Sequence, residues 1–195
     1  MRTIGITGRS GCGKSTVSAY LMKLGYPLAD TDQIAREIMD PGSPCLQQLA
    51  DAFGADILNA DGTLQRHLLA NRAFATPEGT KLLTNITHPE ILRRTLAMRD
   101  AAEQNGASLF FMDGAVLVGS IFEAYCDTLI LVTAPFQVSV ERICRRDGIS
   151  PEMAQRRLNA QTPEEILREK SSYILENNHT PEDLIQQVQN LLQLL

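Results

Sequence analysis

The stretch GRSGCGKST, residues 8–16, sets Gly8, Gly13, Lys14 and Ser15 in the spacing G-x-x-x-x-G-K-[ST]. Glycines there let the backbone curl so that successive N–H groups converge on phosphate oxygens. A helix opening at the lysine adds the positive end of its dipole. Lys14 then reaches the outer phosphates, and the Ser15 hydroxyl suits Mg²⁺. Average glycine usage gives this pattern by chance in about one chain in a hundred of this length. Here a strand-like segment precedes it and a helical one follows, which is the context the motif requires. The loop is built to hold a nucleotide.

Other side chains could act on that nucleotide. Asp30 and Asp32, in DTD, fall at the end of a short apolar segment, and ligands of open α/β sheets bind at the carboxyl ends of strands. A carboxylate there suits orienting an acceptor or taking its hydroxyl proton; the alternative for one of the pair is to cap a helix starting near Gln33. Residues 141–158 carry Arg142, Arg145, Arg146, Arg156 and Arg157. The first three share one helical face by their i, i+3, i+4 spacing. Arginine's fixed fork suits polyphosphate oxygens. Asp113 ends an apolar strand, where an acid supports Mg²⁺ in many phosphate-loop enzymes. His88 reads from its type and place as structural, and His67 and His179 as exposed. Cys12 lies near the start of the first helix, where the dipole would lower its pKa, but a small filler is the plainer role.

The elements that must position these groups follow from periodicity. RTIGIT (2–7) and YPLAD (26–30) read as strands, and 14–24 as a helix ended by Gly25. Residues 33 to 105 show helical periodicity without a convincing strand, punctuated by Pro41, Pro44, Pro77 and Pro89, with a turn at Asn59–Gly62. SLFFMD (108–113) and DTLILVTA (127–134) are continuous apolar runs, as in parallel strands covered on both faces. Helical patterns follow at 135–146, 151–160 and 163–169, then a strand at 173–176 and a closing helix at 181–194. This alternation predicts an α/β sheet with a helical insertion. DGISPE makes the turn of a helical lid that excludes water.

Composition narrows the class. At 195 residues the chain forms one domain with a sizeable core, and a net charge of −5 disfavours nucleic acid as partner. No apolar run reaches membrane-spanning length, and no basic-then-apolar export signal opens the sequence. Cys12, Cys45, Cys126 and Cys144 are scattered, the pattern of reduced thiols in a cytoplasm. No N-K-x-D guanine signature is present. A compact phosphate-loop chain with a helical insertion and an arginine-rich lid reads as a small-molecule kinase.

The sequence resembles the dephospho-CoA kinases over nearly its whole length. GITGRSGCGKSTV is similar to the family's phosphate loop, and LGYPLADTDQIAREIMDPGSP to its segment after the second strand. FGADILNADGTLQRHLL and ITHPEI resemble its helical block, RRDGISPEMAQRRLNAQ its lid, and YILENN its C-terminal end. The resemblance implies a P-loop kinase fold, with a five-stranded parallel sheet flanked by helices and helical acceptor-binding and lid subdomains. The core would take about 1–32, 106–140 and 170–195, the acceptor-binding insertion 33–105 and the lid 141–169. It implies ATP-dependent phosphorylation of the ribose 3′-hydroxyl of dephospho-CoA, the last step of coenzyme A synthesis. Carried over by position, Gly11, Cys12, Gly13, Lys14, Ser15 and Thr16 bind ATP and Ser15 holds Mg²⁺. Asp32 is the base or acceptor-orienting acid. Arg142 and Arg146 are the lid arginines, Asn177 lies near the adenine, and Arg66 and His88 line the acceptor side. Arg9-Ser10 replace the family's usual glycine and apolar residue, and Ala115 and Gly119 replace the proline and glutamate of PLLFE. The expected protein is a cytoplasmic monomer or weak homo-oligomer. The alternatives are a uridine-kinase-like enzyme with another acceptor and a non-catalytic ATP-binding regulator.

Overall fold

The structure, a computed structural model, describes all residues from Met1 to Leu195. Its backbone divides into two compact units, Met1–Ala29 with Ala101–Leu195, and Asp30–Asp100.

In the first unit, three apolar runs form the middle of a parallel sheet. Strands β1 (Arg2–Thr7), β3 (Leu109–Asp113) and β4 (Thr128–Thr133) are buried along their length apart from Arg2. Burial on both faces explains why they read as continuous apolar runs rather than alternating ones. With β2 (Leu28–Asp30) and β5 (Tyr173–Glu176) they make five parallel strands in the order β2-β3-β1-β4-β5. Register sets what stands at the carboxyl edge. Ile6 of β1 pairs with Asp113 of β3, and Thr133 of β4 with Glu176 of β5. The residues that follow β1, β3 and β5 therefore emerge at the same edge.

Helix α1 (Lys14–Lys23) and the last helix, α9 (Pro181–Leu192), pack on this sheet. Val17 and Leu21 of α1 join Ile4, Ile6, Phe111 and Ile130 in one core, along with Leu184 and Val188 of α9. Tyr26 meets the Phe111 ring edge-on at 5.4 Å. Helices α6 (Phe136–Asp147) and α7 (Pro151–Asn159) form a hairpin turned by Gly148 in left-handed conformation and restarted by the Ser150 cap. Val140, Ile143, Ala154 and Leu158 give the hairpin its own apolar seam. Helix α8 (Glu164–Lys170) leads into β5.

The second unit is helical, as the periodicity of 33–105 predicts: α2 (Thr31–Glu37), α3 (Pro44–Phe53), α4 (Arg66–Ala73) and most of α5 (Pro77–Gln104). The NADG turn closes a tight loop in which Leu58 and Leu64 form a single antiparallel bridge. The prolines act in two ways. Pro44 and Pro77 open helices, where a missing N–H costs nothing. Pro89 instead lies within the 28-residue α5, which continues through the lost bond. Arg72 of α4 forms a two-bond fork on Asp56, at 2.7 and 2.6 Å, and donates to the Phe53 carbonyl. On α5, Glu90 accepts from Arg93 and Arg94, and these bonds hold its carboxyl at about 2.

A carboxylate with a depressed folded pKa contributes stability above its unfolded value and loses it as pH falls through the folded one. Replacing Glu90 by Gln should lower the melting temperature slightly at pH 7, since the pair is largely solvated. The deficit should shrink as pH drops from 4.5 toward about 2, read from paired melting curves of wild type and variant.

Candidate active site

The phosphate loop leaves β1 at the sheet's carboxyl edge and enters α1. Gly13, the residue before the helix, sits at φ 106°, where an added Cβ would overlap the Asn177 amide nitrogen. At Gly11, φ 78°, a Cβ would stand 2.6 Å from the Ser139 carbonyl oxygen. Both positions demand glycine for conformation and for space. The helix has no side-chain cap and no acid in its first turn. The backbone N–H groups of Gly11, Gly13 and Ser15 make no backbone hydrogen bond, while that of Lys14 is turned to the Cys12 thiol. Unengaged donors at a helix N-terminus fit an anion.

Two remote side chains, Asn177 and Arg142, hold the middle of this loop. Asn177, buried just past β5, donates from Nδ2 to the Cys12 carbonyl at 2.8 Å, while its backbone N–H is fixed on Thr133. Arg142, on α6, donates to the Gly11 carbonyl at 3.2 Å and approaches Asn177 Oδ1 at 3.5 Å. Lys14 Nζ lies 2.9 Å from the Gly8 carbonyl oxygen. Neither Lys14 nor Arg142 is ion-paired to a carboxylate, so their charge is available to a polyphosphate. Arg146 differs. It forks onto Asp147, which also accepts from Arg157, and so serves the tip of the hairpin.

Asp113 is 7% exposed at the end of β3, next to β1, and accepts from the Ser18 hydroxyl at 2.6 Å. Ser18, which motif reading missed, ties the carboxylate to α1 four residues after Lys14. No cluster of three or more His, Cys, Asp or Glu side chains forms a protein cage for a metal. The Ser15 hydroxyl is exposed, and with the Asp113 carboxylate it supplies the hard oxygen chemistry that Mg²⁺ prefers.

Cys12 takes the plainer of the two roles expected of it. Its side chain is 2% exposed, and desolvation pushes the thiol above its ordinary value despite Lys14 nearby. The helix dipole does not win, and the residue fills space under the loop.

The remaining sequence candidates lie in the second unit. Asp30 Oδ1 accepts from the Gln33 N–H at 2.9 Å and caps α2. That assigns the capping role to Asp30, with Asp32 exposed in the first turn of the helix. Arg66 is the exposed first residue of α4. His88 is half-buried on α5, and burial lowers its pKa, so it is neutral at pH 7.

A parallel sheet in this strand order, with a glycine loop running from its central strand into a helix, defines a P-loop kinase. A model of the dephospho-CoA kinase family matches residues 2–183. The dephospho-CoA kinase of Corynebacterium jeikeium is 41% identical over 188 residues, 96% of each chain. A crystal structure of TT1252 from Thermus thermophilus superimposes with a TM-score of 0.84 at 34% identity, covering 100% of this chain and 97% of that one. Dephospho-CoA kinase from Campylobacter jejuni gives a TM-score of 0.71 at 26% identity, covering 99% and 96%. The chain belongs to the dephospho-CoA kinase family.

Two outcomes follow from the loop's packing. Iodoacetamide at pH 8 should label Cys12 far more slowly in the folded protein than in urea, read by peptide mass spectrometry. Asn177→Ala should destabilise the fold by about 1–3 kcal/mol, because the Cys12 carbonyl loses its partner, and this should appear in urea melts.

Proposed function

We propose that this chain transfers the γ-phosphoryl group of ATP to the ribose 3′-hydroxyl of dephospho-CoA, giving coenzyme A and ADP. The observation that carries the reading is the uncapped, glycine-built amide cradle in a member of this family. In the reaction, the acceptor oxygen bonds to the γ-phosphorus as the bond to the β-bridging oxygen breaks. The hydroxyl proton passes to a carboxylate, and ADP leaves. The transition state is loose, so alignment and charge neutralisation supply most of the catalysis.

The roles divide among named residues. Amides of Gly11, Gly13 and Ser15 receive the phosphates, with Gly8, Cys12, Lys14 and Thr16 completing the loop. Lys14 and Arg142 neutralise charge on the transferring group, and Arg146 supports the same helix face. Ser15 and Asp113 would hold Mg²⁺, which when bound spreads the charge of the outer phosphates. Asp32 orients the acceptor hydroxyl and takes its proton, while Asp30 makes the cap. Arg66 and the neutral His88 contact the acceptor, and Asn177 bounds the nucleotide site beside the loop that it holds. Residues 33–105 bind the acceptor and 141–169 act as the lid. No helix is long and apolar enough to cross a membrane. The four free thiols and the use of ATP support a cytoplasmic place of work.

The test is ADP release with dephospho-CoA beside uridine, cytidine, shikimate and gluconate, with product position read by phosphorus NMR. Response to dephospho-CoA at the 3′ position is expected. Transfer only to another acceptor, or ATP binding without transfer, overturns the reading. Lys14→Ala and Asp32→Asn should each lower kcat on the order of 10²–10³-fold while circular dichroism stays unchanged.

A further inference from the structure

Two residues of the phosphate loop, Arg9 and Ser10, are both engaged by the base of the α6–α7 hairpin. Gln161, two residues past the end of α7, clasps Ser10 from both ends of its amide. Its Oε1 accepts from the Ser10 backbone N–H at 2.9 Å, and its Nε2 donates to the Ser10 hydroxyl at 3.1 Å. Arg9 reaches the same region. It donates to the Leu158 carbonyl at 2.6 Å, in the last turn of α7, and its guanidinium carbon stands 5.9 Å from the centre of the Phe136 ring at the start of α6. A cation suits a helix's carbonyl end and an aromatic face alike. Arg9 therefore bridges both ends of the hairpin, and no carboxylate pairs with it.

We propose that Arg9, Ser10 and Gln161 form a latch that positions the phosphate loop for ATP, making Arg9 and Gln161 positioning residues for the reaction. The latch fixes the part of the loop that precedes the cradle. The Ser10 N–H is turned to Gln161 and the Cys12 N–H to the Arg9 carbonyl at 3.2 Å, so the donors left for phosphate alternate with donors used internally. The hairpin it grips also carries Arg142, which bonds to Gly11, the next residue along. Two adjoining stretches of loop are thus referred to one hairpin, and a shift of either moves the cradle relative to Arg142.

The proposal rests on the reading that this loop binds ATP, and its test is separable from the acceptor question. MgATP binding by calorimetry without acceptor, and KM for each substrate, should be measured for Gln161→Ala, Arg9→Met, Ser10→Ala and the double variant Ser10→Ala/Gln161→Ala. Gln161→Ala and Arg9→Met should each raise the Kd and KM for MgATP about fivefold, with the KM for dephospho-CoA changing less than twofold. Ser10→Ala, which removes one of the clasp's two bonds, should cost about twofold. The double variant should bind no more weakly than Gln161→Ala alone, because its second change removes a bond already lost. Wild-type MgATP affinity in folded variants overturns the latch. So does an equal rise in both KM values, or a lowered melting temperature with unchanged affinity, since either marks a merely structural contact. Should Gln161→Ala not fold, Ser10→Ala decides alone. A wild type that binds MgATP but leaves dephospho-CoA unmodified refutes the acceptor assignment and not the latch.

Discussion

The site depends on a backbone that ordinary residues cannot adopt, held in place by groups remote in sequence. Left-handed turns at Gly11 and Gly13 leave the amides of Gly11, Gly13 and Ser15 without a backbone partner. Such a loop gains little from its own hydrogen bonds, so its shape must be imposed from outside. Asn177 imposes it from the end of β5 and Arg142 from α6. Glycine is required twice over, because the space a Cβ would fill at Gly13 is already taken by the amide that does the holding.

The sheet makes that arrangement possible. Since β1 is central, its carboxyl end is flanked by those of β3 and β4, and β5 stands one strand further out. Side chains distant in the chain, such as Asp113 and Asn177, reach the loop's surroundings by register alone. Burial on both faces keeps these strands from shifting, so the edge is a fixed frame on which short polar contacts can be accurate.

Local patterns were legible in the sequence, and long-range ones were not. The apolar runs at 108–113 and 127–134 announced buried parallel strands, and YILE matched β5 residue for residue. The loop motif named its own residues because its chemistry is compressed into nine positions. Periodicity could not decide which of Asp30 and Asp32 caps α2, since both lie within reach of a first turn. It could not show that Pro89 would be carried inside α5, because that depends on packing along a long helix. For Cys12 the filler role that its size suggested holds, because burial, a tertiary quantity, outweighs the helix end. Ser18 and Gln161 carry no motif at all, and their partners lie 95 and 151 residues away.

The separate apolar seam between α6 and α7 gives the arginine face a footing of its own. Val140, Ile143, Ala154 and Leu158 pack apart from the core on the sheet, so the spacing of these two helices is set by their own side chains. Polar bonds at Arg142, Leu158 and Gln161 tie the pair to the phosphate loop.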